Sequence, residues 1–214
     1  MLDVSTASVS TTARQNAGLA IFARNQSRRQ QEHRLAAFAL QPHHQGHGTQ
    51  HTAEQMAQQL LRPSFLDTSL RSGLFLSGQR RVGKTTFLAT DLIPALEALG
   101  AIVVYVDLWS QPQANPADLV HDAIRKTLKE LQIPGSGILK RLKEVTNLEA
   151  GAAGFKFGFK LADVGKDDGV SLAQAFQELI DQAKTDVVLI VDEVQHALGS
   201  ADGDHLLHAL KAAR

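Results

Sequence analysis

Cysteine is absent from this 214-residue chain, which has only one tryptophan and one tyrosine. Without cysteine there can be no disulfide bond and no thiolate metal site, and a reducing, cytoplasmic location is expected. The sequence has no apolar run long enough for a membrane-spanning helix, so no membrane association is expected. Its formal net charge is +0, and therefore no overall field favours nucleic acid or an anionic surface.

The composition is otherwise that of a globular protein, and the length suffices for one domain with a substantial core. We expect a flexible or partly helical tail with a histidine-rich linker over residues 1–52, and a compact domain over residues 53–214. Residues 1–34 are rich in Ser, Thr and Arg and contain only two acidic residues. This composition is typical of a transit peptide or of a surface helix after a flexible tail. We favour the helix, placed within residues 13–41.

The linker, residues 42–52, contains four of the nine histidines: His43, His44, His47 and His51. A metal site is one interpretation of this cluster. However, Gly46 and Gly48 disfavour a helix that would present His47 and His51 on one face, and no acidic residue lies among them. We therefore favour a solvated linker.

The most specific pattern in the chain is a phosphate-binding loop. It consists of Gly78, Gln79, Arg80, Arg81, Val82, Gly83, Lys84 and Thr85, and it matches G-x-x-x-x-G-K-[ST] at every defined position. An apolar stretch predicted to be a strand precedes it, and apolar residues at helical spacing follow. The glycines allow a tight turn near a polyphosphate, whose oxygens the loop amides and the helix N-terminus can bind.

Within this loop, Lys84 is expected to reach the β- and γ-phosphates, and the Thr85 hydroxyl to bind Mg²⁺. Thr86, the next residue, completes the predicted nucleotide-binding set. A helix is predicted to follow and to end at Gly100.

A second apolar run, residues 187–191, ends in Asp192 and Glu193. Five consecutive apolar residues predict a strand buried on both faces, and carboxylates at its end are costly unless they serve a purpose. Beside a phosphate-binding loop, Asp192 would hold Mg²⁺ with Thr85, and Glu193 would orient or deprotonate the attacking water. Glu193 and Lys84 are thus the catalytic candidates. The alternative is that the two acids merely open a surface turn.

Three further polar residues have two interpretations each. Asp107 lies at the end of a predicted buried strand, residues 102–109, and either faces the site or caps the turn before Pro112. Gln195 and His196 are either phosphate-sensing residues or the polar start of a helix. All these alternatives stay open at the level of sequence.

The loop with Thr86-Phe87-Leu88, the stretch Tyr105-Val-Asp-Leu and the stretch Val191-Asp-Glu-Val-Gln together resemble an archaeal/bacterial ATPase group close to AAA+ and STAND ATPases. The resemblance covers residues 60–214. It implies a three-layer α/β P-loop NTPase fold with a mostly parallel sheet, and ATP with Mg²⁺ as the ligands. It also implies that Lys84 and Thr85 bind phosphate and Mg²⁺, that Asp192 binds Mg²⁺ and that Glu193 is the catalytic base.

Related ATPases have a sensor strand that follows the Asp-Glu strand in the chain and lies between it and the loop strand in the sheet. No such strand follows the last predicted helix, residues 202–214, so the resemblance implies a C-terminally incomplete fold. Three explanations are then open: the chain is a fragment of a longer protein, a truncated paralogue, or a protein completed by a partner or by self-association. We favour the fragment. We expect little ATP turnover by residues 1–214 alone.

Two other functions stay open. One is a truncated, non-catalytic nucleotide-binding or interaction protein. The other is a nucleic-acid-associated ATPase of a mobile element. Residues 155–161 alternate Phe with Lys or Gly and could form a platform for single-stranded nucleic acid, although we favour an exposed strand.

Overall fold

The computed structural model describes residues 16–24, 36–39, 46–62, 74–79, 81–146, 171–183, 185–197 and 201–212. In these ranges the strands are β1 (Asn16–Arg24), β2 (Ala36–Ala39), β3 (Leu74–Gln79), β4 (Ile102–Asp107) and β5 (Val187–Asp192). The helices are α1 (Gly46–Leu61), α2 (Lys84–Phe87), α3 (Ile93–Ala98), α4 (Pro116–Gln132), α5 (Gly137–Thr146), α6 (Leu172–Ala183) and α7 (Ala201–Ala212). A π-helical segment, Leu88–Leu92, joins α2 to α3, and a 3₁₀ turn, Val194–His196, follows β5.

The strands form one sheet in the order β2-β3-β1-β5-β4. β2 is parallel to β3, and β4 is parallel to β5. β1 lies between β3 and β5 and is antiparallel to both of them. Four strands therefore share one direction, and the prediction of an α/β fold with a mostly parallel sheet is confirmed.

Helices cover both faces of this sheet, and β5 shows why. Val187, Leu189 and Val191 belong to a core formed with α4, α5, α6 and α7. Val188 and Ile190, which alternate with them, belong to a second core formed with α1, α2 and α3. All residues of β5 are buried, as expected for an apolar strand with packing on both faces. The predicted three layers are present.

The local sequence explains where α4 begins and how it packs. The Asn115 side chain accepts a hydrogen bond from the Ala117 amide at 2.9 Å, and Pro116 occupies the first helical position. Buried apolar residues then recur at helical spacing: Leu119, Val120, Ile124, Leu128 and Leu131. The helix expected before Gly100 also ends there, since Gly100 has a φ of 86°.

The N-terminal predictions need correction. A helix within residues 13–41 is wrong, because residues 16–24 and 36–39 are strands of the sheet. No gap lies between the two site strands, at the place where the resemblance implies a sensor strand. β3 and β5 neither lack partners nor pair directly with each other, since β1 lies between them. The backbone groups along the facing edges of β3 and β5 require hydrogen-bond partners, which β1 supplies. This requirement outweighs the weak helical spacing of apolar residues in the N-terminal segment.

The linker prediction is wrong for residues 46–52, because α1 begins at Gly46. The apolar stripe of α1, with Ala53, Met56, Ala57 and Leu60 buried, explains why a helix forms despite the glycines in its first turn. Of the linker histidines, both His47 and His51 lie on α1, contrary to the expectation drawn from the glycines, and the Nε2 of His51 is 3.1 Å from the Gln55 side-chain nitrogen. No group of three or more potential metal ligands occurs in the described part of the chain.

His43 and His44 lie outside the described residues, as does the strand expected over residues 155–161. The nucleic-acid platform suggested for that strand therefore stays a prediction. None of the helices in the described ranges has the length and apolar character needed to cross a bilayer.

Candidate nucleotide-binding site

The phosphate-binding loop is a short turn between β3 and α2. β3 extends through Gly78 and Gln79, which pair with Ala17 and Asn16 of β1. Because α2 begins at Lys84, the described part of the turn is residues 81–83. The first two residues of the motif are therefore part of the sheet.

Backbone conformation explains the second glycine of the motif. Gly83 has a φ of 86°, in the left-handed region that other residues adopt only with strain. A Cβ atom built on Gly83 would meet nothing within 4 Å, so φ rather than space demands glycine there. Arg81 is also left-handed, with a φ of 65°. Together they direct the chain into α2, with Thr85 and Thr86 in its first turn. Arg80 lies outside the described residues.

Lys84 is buried, with 6% of its surface exposed. Its Nζ donates a hydrogen bond to the Gly78 carbonyl at 3.0 Å, across the turn. A buried ammonium group requires such partners, because burial disfavours its charge. The bond holds the cationic group of Lys84 at the phosphate-binding turn, where the sequence predicted it.

The Asp192 side chain is buried, with 2% of its surface exposed. Its Oδ2 accepts hydrogen bonds from Thr85 Oγ1 at 2.8 Å and from Tyr105 Oη at 3.2 Å. Its Oδ1 accepts one from the Glu193 amide at 2.9 Å. The two predicted Mg²⁺ ligands, Thr85 and Asp192, are thus in direct contact. A carboxylate and a hydroxyl are hard oxygen donors of the kind that Mg²⁺ prefers, so these residues fit the ion.

Strand register explains how Tyr105 reaches Asp192, a contact that sequence reasoning missed. Tyr105 pairs with Ile190, and Asp107 pairs with Asp192. Since Ile190 belongs to the core on the α2 side, alternation puts the side chains of Tyr105, Asp107 and Asp192 on that same side. The sequence contained one indication of this contact: Tyr105 has a polar hydroxyl, whereas the other residues of β4 before Asp107 are aliphatic. Burial, followed by the negative charges of Asp192 and Asp107, raises the pKa of Tyr105 well above its usual range.

Glu193 stands where β5 ends and has a left-handed backbone, with a φ of 55°. For a non-glycine residue this conformation costs roughly 1–2 kcal/mol. Its carboxylate Oε2 accepts a hydrogen bond from Gln195 Nε2. The sharp backbone turn directs Glu193 out of the strand, and Gln195 is the described neighbour that holds its carboxylate.

The two interpretations of Asp107 can now be compared. Asp107 Oδ1 accepts a hydrogen bond from the Trp109 amide at 2.8 Å, so the carboxylate caps the turn after β4. His196, in the 3₁₀ turn, packs against the Trp109 ring with centroids 4.2 Å apart and planes inclined by 42°. Gln195 and His196 are the last two residues of this three-residue turn, and α7 begins only at Ala201, so the helix-start interpretation is not confirmed. A phosphate-sensing role for them stays a prediction.

Comparison with known proteins agrees with this geometry. A family model described as an AAA domain matches residues 67–213, which is well over half of the chain. No curated protein and no solved structure gives a match. AAA domains bind and hydrolyse ATP in general, typically with Mg²⁺. The phosphate-binding loop, the buried aspartate beside it and the matched range lead to one conclusion: this chain belongs to the AAA domain family of P-loop ATPases.

Proposed function

We propose that this chain binds ATP together with Mg²⁺ at the β3–α2 turn and hydrolyses it slowly, with Glu193 as the general base. One observation carries the proposal: the 2.8 Å hydrogen bond between Thr85 Oγ1 and Asp192 Oδ2. It joins the start of α2 to the end of β5, the two places where the sequence predicted Mg²⁺ ligands. A surface turn opened by two acids would not require a buried aspartate bonded to the phosphate-binding motif.

Each residue has a distinct role in this proposal. The Lys84 ammonium group and the amides at the start of α2 bind phosphate oxygens. Thr85 and Asp192 hold Mg²⁺, which when bound neutralises charge that develops on the phosphates. Glu193 accepts a proton from water as the water oxygen bonds to the γ-phosphorus. The bond from that phosphorus to the bridging oxygen breaks, and ADP leaves with the electron pair.

A second candidate, nucleotide binding without hydrolysis, is favoured by the contact between Gln195 and Glu193. This bond occupies Oε2 of Glu193, an oxygen that would otherwise accept a hydrogen bond from the attacking water. If Gln195 keeps this position when ATP is bound, Glu193 will not activate water. The protein would then hold Mg-ATP intact.

Single-turnover hydrolysis with excess protein tests the proposal, because we expect slow turnover. Nucleotide affinity is measured in parallel with a fluorescent ATP analogue. Lys84→Ala should weaken binding at least about tenfold, since it removes the buried cation at the phosphate site. Glu193→Gln should keep binding and lower the hydrolysis rate by about 10²-fold or more, the usual contribution of a general base.

The chain offers matched controls on α5. Lys140→Ala and Glu144→Gln make the same chemical changes at exposed positions and should alter neither quantity. Failure of the wild-type chain to bind the analogue in Mg²⁺ would contradict the whole proposal. Tight binding with ATP still intact would support the non-catalytic alternative instead.

A further inference from the structure

We propose that Tyr105 is a positioning residue for Mg²⁺, which acts by fixing the orientation of the Asp192 carboxylate. The inference rests on the proposed function, in which Asp192 is a Mg²⁺ ligand. Tyr105 is not expected to touch the nucleotide or the ion. Its role is carried by the 3.2 Å hydrogen bond that its hydroxyl donates to Asp192 Oδ2.

The hydrogen bonds around Asp192 explain why this bond matters. The Glu193 amide binds Oδ1, and the Thr85 hydroxyl binds Oδ2. The Glu193 amide belongs to the neighbouring residue, and Thr85 is itself a proposed Mg²⁺ ligand. Tyr105 is therefore the described partner of Asp192 that comes from a separate strand and has no proposed role at the ion. Such outer partners orient metal-binding side chains and commonly influence metal affinity strongly.

The surroundings of Tyr105 argue against packing as its main role. It is 37% exposed, while Val104 and Val106 on either side of it are buried. An aliphatic residue would suit the strand equally well, as the other residues of β4 before Asp107 are Ile or Val. The tyrosine hydroxyl extends from this register position to Asp192 Oδ2. The chemistry of that contact accounts for tyrosine here.

Tyr105→Phe removes this hydroxyl and keeps the ring, so it tests the inference directly. The readout is binding of a fluorescent ATP analogue, first in EDTA and then with increasing Mg²⁺. We expect unchanged affinity in EDTA and an increase of about tenfold in the Mg²⁺ concentration needed for half-maximal stimulation of binding. Equal loss of affinity with and without Mg²⁺ would indicate a merely structural role and would overturn the inference.

Two further variants sharpen the test. Ser110→Ala removes a hydroxyl at the same edge, one that bonds the Asp107 carbonyl at 2.7 Å, and should leave the Mg²⁺ dependence unchanged. In an Asp192→Asn background, Tyr105→Phe should add no further shift, because both changes act through one side chain. An additional shift of full size there would show that Tyr105 acts elsewhere.

These outcomes separate the inference from the proposed function. A wild-type response to Mg²⁺ that Tyr105→Phe leaves unchanged overturns the role of Tyr105 and leaves the function intact. Binding of Mg-ATP without hydrolysis contradicts the hydrolysis proposal, yet the shift in Mg²⁺ dependence would still support Tyr105. Nucleotide binding that Mg²⁺ does not affect in the wild-type chain overturns both.

Discussion

Strand β5 has two neighbours of different kinds. On one side, β4 is parallel to β5, and its residues reach both cores of the domain. On the other side, β1 is antiparallel and comes from the N-terminal region, far away in the sequence. The β4 side supplies Tyr105 to the site, and the β1 side pairs with the first residues of the phosphate-binding motif. β4 thus contributes a side chain to the site, while β1 sets the spacing between the two halves of the site.

The largest effect is expected from breaking β1. Ile21→Pro removes an amide from a strand with neighbours on both sides, at a residue that pairs with Leu74 and with Ile190. We expect the free energy of unfolding to fall by about 3 kcal/mol or more, measured by urea denaturation. Ile21→Val is the control, since it keeps the amide and the β-branched shape. Equal stabilities of the two variants would contradict a central position for β1.

A smaller effect is expected on the β4 flank. Val104→Ala removes two methyl groups from a fully buried residue and should lower the free energy of unfolding by about 2 kcal/mol. The change leaves the backbone pairing of β4 with β5 in place. Val145→Ala is the matched control, because Val145 is 42% exposed on α5. If the control were as costly as Val104→Ala, burial would not be the cause.

The smallest effect on the free energy of unfolding is expected at the end of β5, the strand that lies between β1 and β4. This effect is a stabilisation, whereas the previous two are destabilisations. Glu193→Gly relieves a left-handed backbone and should raise the free energy of unfolding by up to about 1 kcal/mol. The gain is limited by the greater freedom of glycine in the unfolded chain. Hydrolysis should be lost at the same time. Glu193→Ala is the comparison, since it removes the carboxylate and keeps the strain, and a stability gain of the same size there would contradict our explanation.

The same contrast explains what could be predicted from sequence. Residues 187–191 form a continuous apolar run that predicts a buried strand by itself, and the carboxylates of Asp192 and Glu193 follow at its end. Lys84 and Thr85 lie in a motif whose chemistry depends on local backbone geometry. The proximity of Thr85 to Asp192 then follows because the carboxyl ends of parallel strands meet at one edge of a sheet.

β1 and Tyr105 could not be found in this way. The segment around Ile21 has an irregular apolar pattern. It forms a strand because it pairs with β3 and β5, which lie too far away in the sequence for a local pattern to indicate them. The contact of Tyr105 with Asp192 depends on register, since Tyr105 pairs with Ile190 rather than with Asp192 itself. Both features arise from pairings between distant parts of the chain.

The position of β1 also has a consequence for how the protein folds. Of the described strands, β1 is synthesised before the others, but Ala20 pairs with Val191, which lies 171 residues further along the chain. During translation, β1 therefore remains without this neighbour until β5 has been synthesised. Closing the long loop between β1 and β5 slows folding. Until it closes, β1 exposes unpaired backbone groups that can bind other chains. Rapid dilution from denaturant should therefore yield more aggregate than slow refolding at low protein concentration.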